Sequence, residues 1–214
     1  AFKYAPPTGF LALCSSNLPD TELSPNQVEQ ADDYFNTVLY TGNNTSRSIA
    51  VGFQPDWTWI KSRSNTSDHY VFDSNRGTPN KSLSTNDNGV EDTTSGQFTQ
   101  FTATGFDLPA DAAGYVNYNS RTYAAWNWKV NGGTTSTDNN GSLTSTVQTN
   151  PEIGISIATF TVPTQANFSF GHGLGSVPEM FWWKSRTTTQ NWIGYHFTKT
   201  PSVPNQNGFY VNSN

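Results

Sequence analysis

The sequence predicts an all-β protein, an antiparallel β-sandwich present as one complete and one partial copy of the same unit. Three observations favour this fold. The 214 residues are 14% aromatic and include 17 Gly and 12 Pro, whereas Leu and Glu, two strong helix formers, are scarce. The aromatic and β-branched residues fall into short segments that alternate between polar and apolar positions. A segment of the chain also recurs 123 residues further on.

Composition also excludes several classes of protein. The formal net charge is −5 and only 13% of residues are charged, against about 25% in an average soluble domain. No run of Lys and Arg is present, which argues against a nucleic-acid partner. No apolar run approaches the roughly 18 residues of a membrane helix, so membrane insertion is not expected. The abundance of aromatic and β-branched residues excludes disorder.

The first 32 residues are predicted to precede the sandwich. Residues 1–23 form a separate piece with a short strand and an apolar stretch that contains Cys14, which is expected to be a buried small hydrophobe. Residues 24–32 are predicted to be either a linker or a short helix with Ser24 as its cap and Pro25 in its first turn. No targeting segment is visible, and the chain is expected to be a piece of a longer polypeptide.

A first complete sandwich is predicted over 33–131, because this range contains a succession of strand patterns. The expected strands are 35–40, 55–61, 69–72, 98–106 and 123–129. In the second of these, Trp57, Trp59 and Lys61 share one face, and Thr58 and Ile60 share the other. Residues 132–151, rich in Gly, Thr and Asn, are predicted to be a linker and the domain boundary.

An internal repeat is the most informative feature of the sequence. Residues 55–63 (Pro-Asp-Trp-Thr-Trp-Ile-Lys-Ser-Arg) match residues 178–186 (Pro-Glu-Met-Phe-Trp-Trp-Lys-Ser-Arg). Upstream of these segments, Gly52 aligns with Gly175. Two identical Lys-Ser-Arg triplets after similar strands indicate one β unit that is used twice.

The second copy is predicted to be incomplete. It begins near residue 152. Residues 158–161, which precede the repeated segment 178–186, align with residues 38–41 of the first copy. No equivalent of the 123–129 strand follows it before Asn214. The range 152–214 is therefore expected to be either an incomplete sandwich or one that is finished by strands from elsewhere.

No metal, cofactor or catalytic chemistry is predicted. The three histidines are far apart and lack the spacing of zinc ligands. Residues 138–142 faintly resemble a calcium loop but lack its alternating oxygen ligands and closing Glu, so a turn is favoured. The acidic pairs Asp32–Asp33 and Glu91–Asp92 are adjacent, so they do not form a glycosidase pair and are expected to be solvated. The chain is predicted not to be an enzyme.

Aromatic residues are the best candidates for binding. Trp57, Trp59, Trp126 and Trp128 lie on alternating strands, where they form either a platform for sugar rings or the hydrophobic core. The core is favoured because the chain is poor in Leu. Aromatic residues in loops are better binding candidates, since loops on a rigid sandwich commonly carry function. The candidate carbohydrate- or receptor-binding residues are Trp192, Tyr115, Tyr118 and Trp59.

The two Lys-Ser-Arg triplets place Lys61, Arg63, Lys184 and Arg186 identically after a strand. Charge at the same place in both copies indicates a structural role. Salt bridges or hydrogen bonds to neighbouring loops are expected at these positions.

These segments resemble a repeated domain in structural proteins of tailed bacteriophages, particularly phages of marine bacteria and cyanobacteria. The resemblance is carried by 34–42, 51–63, 72–77, 123–129 and the Gly-His-Gly-Leu-Gly element of 171–178. Residues 1–23 look like the C-terminal end of a SPRY-like sandwich that precedes such repeats. The 180–183 run, Met-Phe-Trp-Trp, is bulkier than the aliphatic run typical of the family.

The resemblance implies a virion protein of the fibre or tail, with concanavalin-like or jelly-roll sandwiches of SPRY or LamG type. It implies other virion proteins as partners and a homo-oligomer, for which a trimer is expected. The predicted role is to present loops to a host cell-surface glycan or protein, and the polar, low-charge surface favours a neutral glycan. Two alternatives stay open. One is a capsid decoration or head-fibre component without receptor binding. The other, less favoured because paired acids are missing, is a glycan-active enzyme.

Overall fold

The computed structural model describes residues 31–163, 167–196 and 208–212, and strands dominate them. The predicted all-β class is confirmed, because the short 3₁₀ helix Ala31–Asp33 is the only helix among these residues. The predictions of a buried Cys14 and of a SPRY-like end over 1–23, and all but the last two residues of 24–32, lie outside the described residues. The strands are β1 Phe35–Thr41, β2 Arg47–Ala50, β3 Trp57–Ser62, β4 His69–Asp73, β5 Leu83–Ser84, β6 Gln100–Thr102, β7 Gly105–Leu108, β8 Thr122–Trp128, β9 Ser136–Asp138, β10 Ser145–Asn150, β11 Ile155–Phe160, β12 Met180–Trp183, β13 Ile193–His196 and β14 Gly208–Tyr210.

Strands β1 to β8 form an antiparallel sandwich of two sheets. The larger sheet has the order β1-β8-β3-β4-β5 and the smaller one β2-β7-β6. The core lies between them, where Ile60 and Tyr123 of the larger sheet meet Ile49, Phe106 and Leu108 of the smaller sheet. The predicted 98–106 strand is instead interrupted, since β6 and β7 pair with each other as a hairpin.

A buried carboxylate fixes the end of the interior strand β8. Asp56, which is fully buried immediately before β3, accepts the backbone N–H groups of four consecutive residues, 130–133, at 2.6 to 2.9 Å. The last two are Gly132 and Gly133, whose positive φ angles of 71° and 88° suit glycine. The acidic residue after Pro55 therefore holds the turn through which the chain leaves the first sandwich.

The tryptophans predicted as core are not in the core. Trp57, Trp59, Trp126 and Trp128 are half-buried, and the core cluster contains no tryptophan. They lie on the outer face of the larger sheet, because the opposite face, with Ile60, packs on the smaller sheet. Strand alternation assigns residues to two faces, but the position of the second sheet decides which face becomes the core.

The predicted linker 132–151 contains two strands. β9 and β10 extend a sheet of order β11-β10-β9, in which Thr146 lies opposite Thr159. Asn75 of the first sandwich donates to the carbonyls of Thr146 and Ile157, both at 3.1 Å. A Thr- and Asn-rich composition resembles that of a linker, but Thr is also β-branched and favours strands once a partner is present.

The repeated segment has the same strand pairing in both copies. In the first, Trp57 pairs with Asp73; in the second, Met180 pairs with His196, and both residue numbers are larger by 123. The third strands of the two sheets also correspond, since β5 pairs with β4 and β14 pairs with β13. The sheet β12-β13-β14 is thus the counterpart of β3-β4-β5.

The outer faces of these two sheets pack against each other. The indole of Trp182 contacts those of Trp57 and Trp59 edge-on, with ring centroids 6.3 Å apart in both pairs. Trp192 is only 5% exposed, and its Nε1 donates to the carbonyl of Ser84 at 2.8 Å. The second copy is therefore anchored on the first through aromatic side chains.

Candidate functional site

Aromatic rings line the outer face of the larger sheet. We call the aromatic face the surface formed by Phe35, Trp57, Trp59, Trp126 and Trp128. The strand register places Phe35, Trp128 and Trp57 side by side across β1, β8 and β3, with centroid distances of 4.9 and 5.9 Å. Trp126 and Trp59 form the next row at 5.7 Å. This arrangement supplies adjacent apolar ring surfaces on a rigid sheet.

The aromatic face is open on one side only. Trp182 covers Trp57 and Trp59, whose indole N–H groups are buried without a hydrogen-bond partner in the described residues. Towards β1 the face is accessible, since Phe35 is 40% exposed and Leu39 is 60% exposed. The available ring surface therefore lies over β1 and β8.

A concave surface lies between the β10–β11 hairpin and Arg186. A cleft of about 400 Å³ is lined by Thr144, Thr146, Thr159, Phe160, Thr161 and Arg186. The β10–β11 register puts Thr146 and Thr159 on one face and Phe160 on the other, where its ring stacks on Phe170 at 4.1 Å. This threonine cleft therefore presents hydroxyl groups and one guanidinium group.

A charged network joins the copies beside the threonine cleft. Glu91, whose side chain is 10% exposed, accepts two hydrogen bonds from Arg186 at 2.8 and 2.9 Å and one from Arg76 at 3.1 Å. Burial would raise the pKa of Glu91, but the hydrogen bond from Arg186 and the charges of Arg76 and Arg186 lower it from its ordinary value. The prediction that Glu91 is solvated is wrong, because the second copy brings Arg186 onto it.

The structural role predicted for the Lys-Ser-Arg triplets is confirmed at three positions. Lys61 donates to the carbonyls of Asn65 and Ser67 at 3.1 and 2.7 Å. Lys184 donates to the carbonyl of Ser185, and Arg186 pairs with Glu91. In the first copy the triplet therefore stabilises the loop that follows the strand. In the second copy it also binds Glu91 of the first copy.

Two of the four predicted binding residues are covered. Trp192 is buried against Ser84 and is a packing residue, not an accessible contact for a receptor. Trp59 belongs to the aromatic face but lies under Trp182, with His69 on its other side at 6.3 Å. Tertiary packing of the second copy removes the exposure that the sequence pattern alone predicted.

The other two lie in the loop before β8. Tyr115 packs against the core and meets Tyr70 edge-on at 5.6 Å. Tyr118 is 37% exposed, and the guanidinium of Arg121 lies 4.2 Å above its ring. The buried carboxylate of Asp111 holds this loop by accepting three backbone N–H groups. Of the four candidates, Tyr118 is the most accessible, and the structure does not bring it onto the aromatic face.

Metal-binding side chains are not clustered in the described residues. No cluster of three or more His, Cys, Asp or Glu side chains occurs there. Residues 138–142, compared above with a calcium loop, form a turn in which Asp138 accepts the N–H of Asn140 at 2.8 Å. Burial and the charge of Lys61 lower the pKa of His69, which neighbours Trp59.

Sequence reasoning missed the threonine cleft and the open side of the aromatic face. The cleft was hidden because 132–151 has the composition of a linker. A signal was present, since Thr144 and Thr146 alternate, as do Thr159 and Thr161. Exposure of Phe35 depends on β1 being the edge of its sheet, which a local pattern does not specify.

These features define a β-sandwich protein with an aromatic outer face. Residues 30–207 match the model of a protein family described as a domain of unknown function (DUF7483). The chain belongs to this family, since the match covers most of its length. No curated protein and no solved structure shows a significant match.

Among the described residues, no helix has the length and apolar character needed to cross a bilayer.

Proposed function

We propose that this chain is a non-enzymatic structural protein of a phage virion, a segment of a tail fibre or adhesin that binds a host cell-surface glycan. The observation that carries the proposal is the open side of the aromatic face. There Phe35, Trp126 and Trp128 present adjacent rings, and Thr37 lies opposite Trp126 in the register. Sugar rings stack their C–H faces on such surfaces while hydroxyl groups bind nearby polar groups.

The low charge of the chain supports a neutral ligand. Only 13% of residues are charged, and the five side chains that define the aromatic face are uncharged; Lys61, on the same face of β3, donates its hydrogen bonds to the carbonyls of Asn65 and Ser67. A neutral polysaccharide needs no ion pair and loses little when its hydroxyl groups exchange water for protein contacts. Partners in the virion and assembly as a homotrimer are part of the same proposal and rest on the resemblance to phage proteins.

A glycan array probed with the full chain tests this function. We expect binding to at least one host capsule or surface polysaccharide, followed by titration of that glycan against variants. Trp126→Leu retains an apolar side chain but removes the ring, and it should weaken binding about tenfold. Thr146→Val in the threonine cleft is the matched control and should leave the affinity unchanged.

Three experimental outcomes would contradict parts of this proposal. No binding to host surface polysaccharide at millimolar ligand, by a chain whose circular dichroism is that of a folded β protein, would reject glycan recognition. Loss of binding in Thr146→Val but not in Trp126→Leu would move the site to the threonine cleft. Cleavage of host capsule by the purified chain would refute its assignment as a non-enzyme.

The second candidate function is a capsid decoration or head-fibre component without receptor binding. The packing of Trp192 and Trp59 favours it, because aromatic residues predicted as contacts instead hold the two copies together. A map of the virion separates the two functions. Density for the chain on the tail favours adhesion, and density on the capsid favours the structural role.

A further inference from the structure

Three Asn-Gly pairs lie wholly within the described residues, at 88–89, 131–132 and 140–141. In such a pair the backbone nitrogen of the glycine can attack the side-chain carbonyl carbon of the asparagine, because glycine has no Cβ to hinder the approach. Asparagine is accordingly among the thermolabile residues of proteins. The attack needs a glycine N–H that can lose its proton and an asparagine side chain that can turn towards it. The three pairs differ in both respects.

The pair 131–132 is restrained by hydrogen bonds on both sides. Gly132 N–H donates to the buried carboxylate of Asp56 at 2.9 Å. The side-chain amide of Asn131 donates to the carbonyl of Thr134 at 2.7 Å. The negative charge of Asp56 also disfavours a second negative charge on the nitrogen of Gly132. Neither reacting group of this pair is therefore available for the attack.

The pair 88–89 is held less firmly. Gly89 N–H donates to the carboxylate of Asp87 at 2.6 Å. Asp87 and Asn88 are both exposed, so water competes for this hydrogen bond. The bond therefore opens more readily than the one that Gly132 makes to a buried carboxylate.

The pair 140–141 is unrestrained in the part of the chain that the structure describes. Both residues are exposed, and neither Gly141 N–H nor the side-chain amide of Asn140 has a hydrogen-bond partner there. Asn140 donates its own backbone N–H to Asp138 at 2.8 Å, but that group takes no part in the attack. Both reacting groups are therefore available at this turn.

We propose that Asn140 is a site of spontaneous deamidation, and that the fold suppresses the same reaction at Asn131 and, less strongly, at Asn88. The nitrogen of Gly141 loses its proton and attacks Cγ of Asn140, ammonia leaves, and a cyclic succinimide forms. A water molecule then opens either carbonyl of the ring, which gives aspartate or isoaspartate at position 140. No oxidant, reductant or cofactor takes part. The site does not depend on the proposed glycan binding, which uses the aromatic face.

Deamidation should loosen the contact between this turn and residues 167–170. Gly141 passes so close to that segment that an added Cβ would lie 2.6 Å from the carbonyl oxygen of Ser169. Beside it, Ser142 N–H donates to Ser169 Oγ at 3.1 Å, and Leu143 N–H donates to the Ser169 carbonyl at 3.0 Å. Isoaspartate lengthens the main chain by one carbon atom and adds a negative charge. These hydrogen bonds should therefore lose their alignment.

Peptide mapping by mass spectrometry tests the proposal on the full chain, incubated in mildly alkaline buffer made with water that carries a heavy oxygen isotope. The label enters where oxygen from water has replaced the side-chain nitrogen. We expect position 140 to react fastest, position 88 more slowly, and position 131 at least about tenfold more slowly than position 140. In the modified chain, amide hydrogen exchange at Leu143 should be faster than in the unmodified chain.

Two controls separate the effect of the fold from that of the sequence. Free peptides of residues 86–91, 129–134 and 138–143 should react at similar rates, because they lack the hydrogen bonds of the folded chain. Asp87→Ala removes the acceptor of Gly89 N–H, so it should accelerate the reaction at Asn88 in the folded chain. The same substitution should leave the rate at Asn140 unchanged.

Four results would overturn the proposal. The first is a reaction at Asn131 as fast as that at Asn140 in the folded chain. The second is an unmodified Asn140 under conditions that modify the free peptide 138–143. The third is a set of free peptides whose rates already differ as they do in the folded chain, because the selectivity would then lie in the sequence. The fourth is an unchanged rate at Asn88 in Asp87→Ala, which would contradict protection by a carboxylate.

Discussion

Replacing Asp56 with Asn should destabilise the first sandwich strongly. One carboxylate oxygen accepts the N–H groups of Val130, Asn131 and Gly132, and the other accepts Gly133 N–H, Ser74 Oγ–H and Gln148 Nε2–H, the last at 3.3 Å. An amide keeps only one acceptor oxygen. In either orientation of Asn, three donors, one buried and two partly buried, therefore face an NH₂ group instead of an oxygen.

The expected cost follows from these donors. Each buried donor without an acceptor costs about 1–3 kcal/mol. Some relaxation of the 130–133 turn recovers part of that cost, so the free energy of unfolding should fall by about 3–5 kcal/mol. A typical domain has only about 5–15 kcal/mol of stability. The substitution therefore removes a large share of the margin.

Urea unfolding followed by tryptophan fluorescence measures this loss, with far-UV circular dichroism as the second probe. The matched control is Glu179→Gln, the same change at the equivalent position of the second copy. Glu179 is exposed, so its free energy of unfolding should change by no more than about 0.5 kcal/mol. A loss below about 1 kcal/mol for Asp56→Asn, or equal losses for the two variants, would refute the reasoning.

Two further substitutions test the junction between the copies. Trp192→Phe leaves the Ser84 carbonyl without its indole donor. The protection of β13 against amide hydrogen exchange should therefore fall by about 1–2 kcal/mol. Unchanged protection would show that the indole–carbonyl hydrogen bond contributes nothing. The lowered pKa of Glu91 means that its ionised form stabilises the folded state above its ordinary pKa of 4.5, and that this contribution is lost as pH falls through the folded pKa. Glu91→Gln should therefore flatten the loss of stability in acid, and an acid slope equal to that of the native chain would contradict the role of Arg76 and Arg186.

Local pattern was sufficient to place several strands. Alternation of aromatic and polar residues predicted β1, β3, β4 and β8 close to their observed bounds, because a half-buried strand leaves a period of two in the sequence. The pattern also assigned Trp57 and Ile60 to opposite faces. These features depend only on neighbours along the chain, so one sequence suffices to find them.

The candidate surfaces were harder to predict. Whether an aromatic residue is core, junction or surface depends on what packs on its face, and that partner lies far away in sequence. Trp192 illustrates this dependence, since its indole binds the carbonyl of Ser84. The threonine cleft likewise exists only because Arg186 and the β10–β11 hairpin meet. No local period encodes either contact.

The sequence by itself determined the all-β class and the strand periodicity, because composition and alternation act within single strands. It also revealed the 123-residue offset at which the β3–β4 pairing recurs. The tertiary structure decided which sheet face became the core, on which face the tryptophans lie and which arginines pair with Glu91. Those outcomes depend on contacts between segments that are distant in the chain. The energies of such contacts are set by packing and burial in three dimensions, and the order of neighbouring residues does not specify them.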